Sequence, residues 1–509
     1  MSRFPWLRMR RKTAPELPLE PPIMLGNKSN GEFFWEQTPR ERRMHELILR
    51  LADERSRKLG MDRREFLASA LGMATSLSVV NLVSGCGGDG NGFTLPPGAT
   101  FECDAATEAL SGDEFILDLQ THHIDDEETW RERHPGGTWT GEGFASFITL
   151  WPCDLTKRSE CIGPTTYAES IFLNSDTTVA VLSGFPSKMC DEGTLCTNLN
   201  PNEDMVFWRD LINEAAGSQR MVQHCQVAPN DRWELQAAMM ERIRAEHGNH
   251  GWKCYPPWGP NGQGWWLDDE AVANPFIEKC IELGEPLICA HKGFPLPSFD
   301  RVHTDPKDVG PAAVRYPQVS FIVYHSAFET GIREGPYEPD GGGVDRLIRT
   351  VEDHGLKGKN VYAEMGSAWA LASLDAMQAQ HYVGKLLKHL GEDNLVWGSE
   401  CVWFGSPQNQ IEAFRALQIS EELQEQYGYP ALTPEIKAKV FGLNAARLYG
   451  INPDETRCTL DTSKLGRLKL AMDAELGDRR WAFQQPNGPR TRREFLRLQE
   501  WRRFQKVPA

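Results

Sequence analysis

Phe115-Ile116-Leu117-Asp118-Leu119-Gln120-Thr121-His122 is a short, mainly apolar run that ends in polar residues. Seven further runs of similar length follow it along the chain, with helical patterns between them. The runs are Thr178–Ser183, Met221–Val227, Gly251–Tyr255, Pro286–His291, Val319–His325, Asn360–Met365 and Asn394–Glu400. The clearest helical patterns cover 231–246, 269–283, 344–354 and 374–390. Eight strands alternating with crossover helices predict an α/β fold, a (β/α)8 TIM barrel. The rival, an open doubly wound sheet, is weakened because no GxGxxG motif follows the first run.

The long insertions of this pattern all follow strands. They cover 124–164, 184–204, 256–268, 292–312 and 326–343. In a barrel such loops build the C-terminal rim, where active sites lie. Six tryptophans fall in them, at Trp130, Trp139, Trp151, Trp258, Trp265 and Trp266. An aromatic rim favours a cyclic or aromatic organic substrate, although tryptophans that only pack long loops would give the same pattern.

Polar residues at the strand ends are the second informative feature. Alternation along the first strand places Asp118, Gln120 and His122 on one side and His123 on the other. The later strands end in or carry further titratable residues: His291, His325, Glu364 and Glu400. A single histidine in such a place is usually structural. Three histidines and a glutamate at one rim predict a site.

Three stretches then resemble a known family. Residues 316–325 (YPQVSFIVYH), 395–400 (LVWGSE) and 436–450 (IKAKVFGLNAARLYG) are similar to the strand-six, strand-eight and closing-helix segments of the amidohydrolase superfamily, in its amidohydrolase-related branch. They occur in the family's chain order, and the resemblance covers about 114–451. It implies a metal-dependent enzyme on a TIM barrel.

The resemblance also implies a metal site. The family binds one or two divalent metals, commonly zinc, and its ligands carry over to His122 and His291, with Gln120 and Glu400 at two altered positions. A neutral amide oxygen is a poor zinc ligand, so Gln120 is a doubtful one. One zinc ion is therefore expected, held by His122, His291 and Glu400. His325 would act as acid/base, and Lys253 would contact substrate or, as in binuclear members, bridge two metals.

The leading functional prediction is a hydrolase that cleaves a C–N or C–O bond of a small cyclic or aromatic compound. Glu400 would take a proton from metal-bound water while His325 polarises the carbonyl. Two alternatives stay open: a decarboxylase of a cyclic carboxylic acid, and a metal-free degenerate barrel with a binding role. Expected substrate contacts are Lys253, Lys292, Trp258, Trp266 and Trp403.

The N-terminal region has its own pattern. Residues 1–60 are basic, and Thr38-Pro39-Arg40-Glu41 predicts a capped helix. In 61–86, Arg63 and Arg64 precede an apolar run that ends at Cys86, which resembles a twin-arginine export signal with a lipidation site. Export to the periplasm or envelope, contact with the export machinery and membrane anchoring through Cys86 are the expectations. A buried helix with an incidental arginine pair is the alternative, and the start is open between Met1 and Met61.

Composition bounds the rest. The chain of 509 residues has a net charge of −16, although residues 1–64 carry +6, and an acidic body argues against nucleic acid as a partner. Only 40% of residues are hydrophobic, which excludes a multispanning membrane protein.

Residues 87–110 are expected to be a linker, 111–451 the barrel and 452–509 a basic tail. The pairs Cys153/Cys161 and Cys190/Cys196 are candidates for disulfides or, more weakly, metal ligands. Oligomeric state is open.

Overall fold

The eight predicted strands form a barrel in the computed structural model. It describes residues 19–29, 34–85, 92–127, 144–146, 157–190, 193, 195, 199–295, 299–458, 463–476, 489 and 491–504. In chain order the barrel strands are β1 (Leu117–Thr121), β2 (Val179–Ser183), β3 (Met221–Gln226), β4 (Trp252–Cys254), β5 (Leu287–His291), β6 (Ser320–Tyr324), β7 (Val361–Glu364) and β8 (Leu395–Val396).

Each strand pairs in parallel with the next one along the chain, from β1 to β8. Backbone hydrogen bonds beyond β8 then close the ring onto β1. The Glu400 N–H donates to the Gln120 carbonyl at 2.8 Å, and the Val402 N–H donates to the His122 carbonyl at 3.0 Å. Parallel strands in sequential order and a closed seam confirm the TIM barrel.

Helices fill the connections between strands. Those after β1 are Pro164–Ala168, Asn202–Ala216, Trp233–Glu246, Ala273–Glu282, Val309–Arg315, Val344–Asp353, Gly366–Ala372, Ala376–His389, Gln408–Ala416, Glu421–Tyr427, Pro434–Ala438, Asn444–Tyr449, Pro453–Cys458, Lys464–Leu476 and Arg492–Phe504. Short 3-10 turns cover Ser159–Ile162, Arg301–Thr304, Pro306–Asp308 and His325–Ala327, and π-helical turns cover Glu169–Leu173 and Lys439–Leu443.

The core has two layers. Inside the barrel, a cluster that includes Leu117, Leu119, Val181 and Ile322 is buried, and Ala445 of the closing helix packs against it. A larger cluster lies between the outer face of the sheet and the surrounding helices. The inner layer supports the carboxyl ends of the strands from below, which is where the predicted site residues lie.

Three N-terminal helices pack against the outside of the barrel: α1 (Pro39–Leu59), α2 (Arg63–Leu67) and α3 (Ala70–Ser84). The predicted capping box is confirmed, because the Thr38 side chain accepts from the Glu41 N–H and the Glu41 side chain from the Thr38 N–H. Helix α3 contacts α1 and the helices 376–389 and 408–416 that follow β7 and β8. Most of its apolar residues are therefore buried, whereas Leu82 is exposed.

The polar residues of α3 bond to the rest of the fold. The Asn81 amide donates to the Phe93 carbonyl at 2.6 Å and accepts from the Phe93 N–H at 3.0 Å. The Ser84 hydroxyl oxygen accepts from the N–H of Ala376 at 3.0 Å, at the start of a barrel helix. Residues of the export-like segment thus make specific contacts with the barrel domain.

Arg63 and Arg64 lie on α2, where the Arg63 side chain is 43% exposed. Cys86 lies outside the described residues. The described helices contain no apolar stretch of the length that a membrane span requires. Twin-arginine export and anchoring through Cys86 stay predictions.

Ordered elements also occupy the segment expected to be a linker. Gly92–Phe93 forms a short antiparallel pair with Leu417–Gln418, and Cys103–Leu110 is helical. Of the predicted cysteine pairs, Cys161 and Cys190 are each disulfide-bonded. Cys153 and Cys196 lie outside the described residues, so neither pairing is described.

Candidate active site

Five predicted site residues meet at the carboxyl ends of the strands. Gln120, His122, His291, His325 and Glu400 are all buried there, and we call them the mouth cluster. The Gln120 amide nitrogen lies 3.4 Å from His122 Nε2 and 3.5 Å from His325 Nε2. The rings of His291 and His325 are 4.9 Å apart, and His325 Nε2 is 3.7 Å from Glu400 Oε1. Strands that are far apart in sequence therefore present one set of acid, base and amide groups.

Strand β1 departs from simple alternation. Its pairing with β2 is irregular between Asp118 and Thr121. Asp118 does not join the mouth cluster, because its carboxylate accepts from the Ser399 N–H at 2.9 Å and from the Ser399 hydroxyl at 2.5 Å. Burial raises the pKa of Asp118 to about 7, against these hydrogen bonds. His123 points away as predicted, and its ring packs edge-on against Tyr167 and Trp208.

The histidines of the mouth cluster are neutral. Burial and the nearby positive charge of Lys253 lower the pKa of His122 to about 3 and hold the pKa of both His291 and His325 well below the usual range. The His122 Nδ1–H donates to the Ser183 carbonyl at 2.9 Å, which leaves Nε2 with its lone pair. Neutral imidazoles accept protons or hydrogen bonds at this site.

The two predicted substrate lysines differ sharply. Lys292 is fully buried, and its ammonium donates to Asp308 at 2.7 Å and to the carbonyls of His303 and Asp305 at 3.0 Å each. The Lys292 ammonium is therefore already paired within the protein and has no free position for a substrate. Lys253, also fully buried, has no hydrogen-bond partner among the described residues.

Lys253 lies in the barrel interior among aromatic rings. Its nitrogen is 3.5 Å from the centre of the Tyr324 ring and 4.5 Å from that of Tyr255. Burial lowers the pKa of Lys253 to about 8, and the nearby Glu364 and Glu400 oppose that shift. An amine that is still largely protonated at neutral pH thus lies in an apolar surrounding without a bonded counterion. An anionic ligand group would satisfy it.

Of the predicted tryptophans, Trp403 belongs to the mouth. It stacks on the His122 ring at 5.5 Å, and Phe185 and Phe144 pack around it. Trp266 packs instead on His303, at 4.4 Å between ring centres. Trp258 is half-buried, and its backbone carbonyl accepts from the Asn230 amide. Trp130, Trp139 and Trp151 lie outside the described residues.

Sequence reasoning gave no role to Glu364, and the structure places it beside His325. The carboxyl is fully buried at the end of β7 and accepts from the His325 backbone N–H at 2.8 Å. Burial raises the pKa of Glu364 to about 8, so it carries its proton at neutral pH. The only sequence signal for it was its position at a strand end.

The side chains as placed do not fit a bound ion. No three His, Cys, Asp or Glu side chains of the described residues are arranged as a metal site. The Gln120 amide nitrogen, a hydrogen-bond donor, faces Nε2 of both His122 and His325, and its oxygen is buried without a donor in the described part of the chain. In this arrangement the amide nitrogen, and not its oxygen, faces the imidazole nitrogens that would have to bind a cation.

Part of the chain is similar to a known protein family. Residues 207–451 match the amidohydrolase family model. The amidohydrolase match begins after β2 and runs through the helix that follows β8 and closes the barrel. It therefore includes His291, His325 and Glu400, but not Gln120 and His122. No curated protein sequence matches the chain.

Solved structures are similar to the chain over about two thirds of its length. A 5-carboxyvanillate decarboxylase from Sphingomonas paucimobilis is 12% identical, with 67% of this chain and 100% of that chain covered and a TM-score of 0.41. A protein described as a 2-pyrone-4,6-dicarboxylic acid hydrolase from Pseudomonas putida is 13% identical, with 67% and 98% covered and a TM-score of 0.41. A 5-carboxyvanillate decarboxylase from Novosphingobium aromaticivorans, complexed with manganese and a nitrobenzoic acid, is 15% identical, with 68% and 97% covered and a TM-score of 0.37.

Proposed function

We propose that the chain is an amidohydrolase-superfamily lyase that removes the carboxylate of a small cyclic carboxylic acid as CO2, without an oxidant. One observation carries this choice over the predicted hydrolase: the buried amine of Lys253 has no partner among the described residues and lies close enough to His122, His291 and His325 to lower the pKa of each. We therefore assign Lys253 as the cationic clamp, the residue that would bind the substrate carboxylate, whereas Lys292 is paired with Asp308.

The aromatic residues near Lys253 are suited to packing against the ring of a cyclic substrate. Trp403, Phe185 and Phe144 form one apolar wall beside His122, and Tyr255 and Phe299 pack around His291. Apolar walls with a few fixed polar groups are typical of sites for small organic molecules. A carboxylate at Lys253 would leave the ring against these walls.

The reaction needs one proton. The carbon–carboxylate bond breaks, CO2 leaves, and the electron pair that stays on carbon takes a proton. Lys253 is one of the charges that lower the pKa of His325. Burial and His291 lower the pKa of His325 more than Lys253 does, and a carboxylate bound to Lys253 would offset only the last of these three influences, which shifts the pKa of His325 upward. We infer that His325 then delivers the proton to carbon, while Glu400, 3.7 Å away, stabilises the imidazolium.

A deuterium experiment tests the reaction class. The full chain is incubated in D2O with a panel of hydroxylated and heterocyclic carboxylic acids, and products are analysed by mass spectrometry. A decarboxylase places one deuterium on the carbon that lost CO2, and a hydrolase places none on carbon. Release of CO2 with one deuterium per product is the expected result, and no CO2 from any acid of the panel would count against the proposal.

Lys253→Met is the variant that tests the clamp. Loss of a buried cation that pairs with the substrate should lower kcat/KM by about 100-fold or more. Lys437→Met is the matched control, because burial also lowers the pKa of Lys437 to about 8, but its amine donates to the Arg415 carbonyl at 2.5 Å. Equal losses in the two variants would contradict a special role for Lys253.

Hydrolysis is the second candidate, and one observation favours it. The His325–Glu400 pair places a neutral base and a carboxylate together, which is what removal of a proton from water requires. Lactones, esters and amides therefore belong in the same panel. Their cleavage without CO2 release would make the hydrolase the better conclusion.

The zinc ion stays a prediction, and no step above depends on it. Elemental analysis of the purified chain tests it directly. A tightly bound equivalent of metal that is lost in both His122→Ala and His291→Ala would show that the mouth cluster rearranges around an ion.

A further inference from the structure

The backbone after strand β6 has an uncommon conformation. His325, Ser326 and Ala327 have φ angles of 61°, 50° and 58°, in the left-handed region. None of the three is glycine, and L-residues are strained in this region. Three in succession need neighbouring groups that hold them there. This turn also fixes where the His325 imidazole points.

Glu364 on the next strand provides two such contacts. Its side-chain oxygen Oε2 accepts from the His325 backbone N–H at 2.8 Å. Its backbone carbonyl accepts from the Ser326 hydroxyl at 2.7 Å, and the same hydroxyl lies 3.1 Å from the Tyr382 hydroxyl. One residue therefore bonds both the first and the second residue of the left-handed turn.

Two glycines leave the space that the Glu364 carboxyl occupies. A Cβ atom at Gly398 would lie 1.7 Å from Glu364 Oε1. A Cβ atom at Gly366 would lie 2.9 Å from Glu364 Oε2 and 2.8 Å from His325 Nδ1. Any side chain at these positions would displace the carboxyl or the imidazole. The strand ends are thus shaped around the contact between Glu364 and the turn.

We propose that Glu364 is a positioning residue: it holds the left-handed turn 325–327 and so fixes the His325 imidazole for proton transfer. The catalytic consequence rests on the proposed function of His325, whereas the contact with the turn does not. A protonated carboxyl suits this role, because it can accept the N–H bond without leaving an uncompensated charge in the barrel.

Two substitutions of Glu364 separate the effect of its hydrogen bond to the His325 N–H from the effect of its carboxyl group. Glu364→Gln has nearly the same shape and keeps an oxygen for the His325 N–H, whereas Glu364→Leu has no acceptor. Hydrogen exchange of the full chain should be faster at 325–328 in Glu364→Leu and unchanged elsewhere, since the Phe328 N–H bonds the His325 carbonyl across this turn at 2.8 Å. Exchange in Glu364→Gln should match the wild type.

Turnover on an acid found with the panel gives the second measurement. A misplaced catalytic group typically costs about 100-fold, so Glu364→Leu should lower kcat by about that factor with little change in KM. Glu364→Gln should keep kcat within about threefold of the wild type. A Glu364→Gln protein with normal exchange but without turnover would assign Glu364 to the chemistry and overturn the positioning role.

A glycine substitution in the turn gives the most specific test of the positioning role. Glycine adopts the left-handed conformation without strain, so Ala327→Gly should need the Glu364 contact less. The double variant Glu364→Leu/Ala327→Gly should regain at least about tenfold of the lost kcat and slow the exchange of 325–328 again. No recovery in either measurement would contradict the proposal, and Ala327→Gly alone is the control.

Ser326→Ala is the second route if Glu364→Leu fails to fold, because it removes the hydroxyl that bonds to the Glu364 carbonyl and lies near the Tyr382 hydroxyl, and leaves the Glu364 side chain in place. It should speed exchange at 325–328 to a smaller extent, and unchanged exchange would overturn the proposal. Hydrogen exchange requires no substrate. If no acid of the panel reacts, the proposed function fails while the exchange measurements still decide the role of Glu364 in the turn.

Discussion

Helix α3 and the barrel mouth differ in how their polar side chains are paired. In helix α3 the side chains of Thr75, Ser76 and Asn81 all bond to the protein, the buried Ser76 to the Gly72 carbonyl at 2.8 Å. At the mouth, Lys253 Nζ and the Gln120 oxygen are buried without a partner among the described residues. Buried atoms without a partner also occur elsewhere in the described residues, for example Gln236 Nε2 and Gln410 Oε1, so what distinguishes Lys253 and Gln120 is that they lie beside the histidines at the strand ends.

We therefore expect substitutions in the two regions to have different effects on stability and turnover. Substitutions in the helices should lower the free energy of unfolding and spare turnover. Substitutions of unpaired groups at the mouth should abolish turnover at little cost in stability, as is common for functional sites.

Gly72→Val should be the most damaging single change in the N-terminal helices. A Cβ atom there would lie 2.5 Å from the backbone carbonyl oxygens of Phe66 and Leu67, which cannot move without shifting α2. We expect a loss of about 4 kcal/mol in the free energy of unfolding, measured by urea denaturation and tryptophan fluorescence. Gly26→Ala is the control, because its Cβ atom would meet nothing within 4 Å. Equal stability of the two variants would show that α3 does not pack as described.

The unpaired amine should also appear in the pH dependence of stability. Burial lowers the pKa of Lys253 from 10.5 to about 8, so the unfolded chain binds more protons than the folded chain between those values. The free energy of unfolding therefore gains a contribution that rises with pH across this window, by at most about 3 kcal/mol. Lys253→Met should remove it, as seen by urea denaturation from pH 7 to 10. Parallel curves for the variant and the wild type would mean that Lys253 is solvated or paired.

A matched pair of amide substitutions gives the smallest but most direct comparison. Asn81→Leu removes both bonds to the Phe93 backbone and should cost about 2 kcal/mol, with kcat unchanged. Gln120→Leu removes an amide whose oxygen is unsatisfied and should change stability by less than about 1 kcal/mol, while turnover falls because the amide nitrogen lies beside Nε2 of His122 and His325. Leu82→Ala is the control on α3, since Leu82 is 65% exposed. The same sign and size for both amides would end the distinction between the two regions.

The barrel could be predicted from sequence because each strand carries its own local signal, an apolar run bounded by turns. The packing of α3 could not. An apolar stretch with scattered serine, threonine and asparagine has the same composition in an export signal and in a buried helix. What distinguishes them are partners such as Ala376, which lies 292 positions from Ser84. Export itself stays a prediction that these contacts do not test.

The site was predicted in its residue types and less well in its roles. Lys253 and Lys292 look alike at two strand ends, and only the fold brings Asp308 to one of them. The left-handed turn at 325–327 had no sequence signal, because glycine, the usual marker of positive φ, is absent from it. The role of Glu364 depends on that turn and was invisible for the same reason.

The seam that closes the barrel has a consequence for how the molecule folds and can be studied. Asp118 and Ser399, which bond across it, are 281 positions apart in the chain. Contacts of such high sequence separation form late and slowly, so the mouth exists only once the ring is complete. A ligand that contacts both β1 and the residues after β8 would hold these two edges of the barrel together and slow its opening. Compounds can therefore be ranked by how much they raise the unfolding temperature, before any reaction is known.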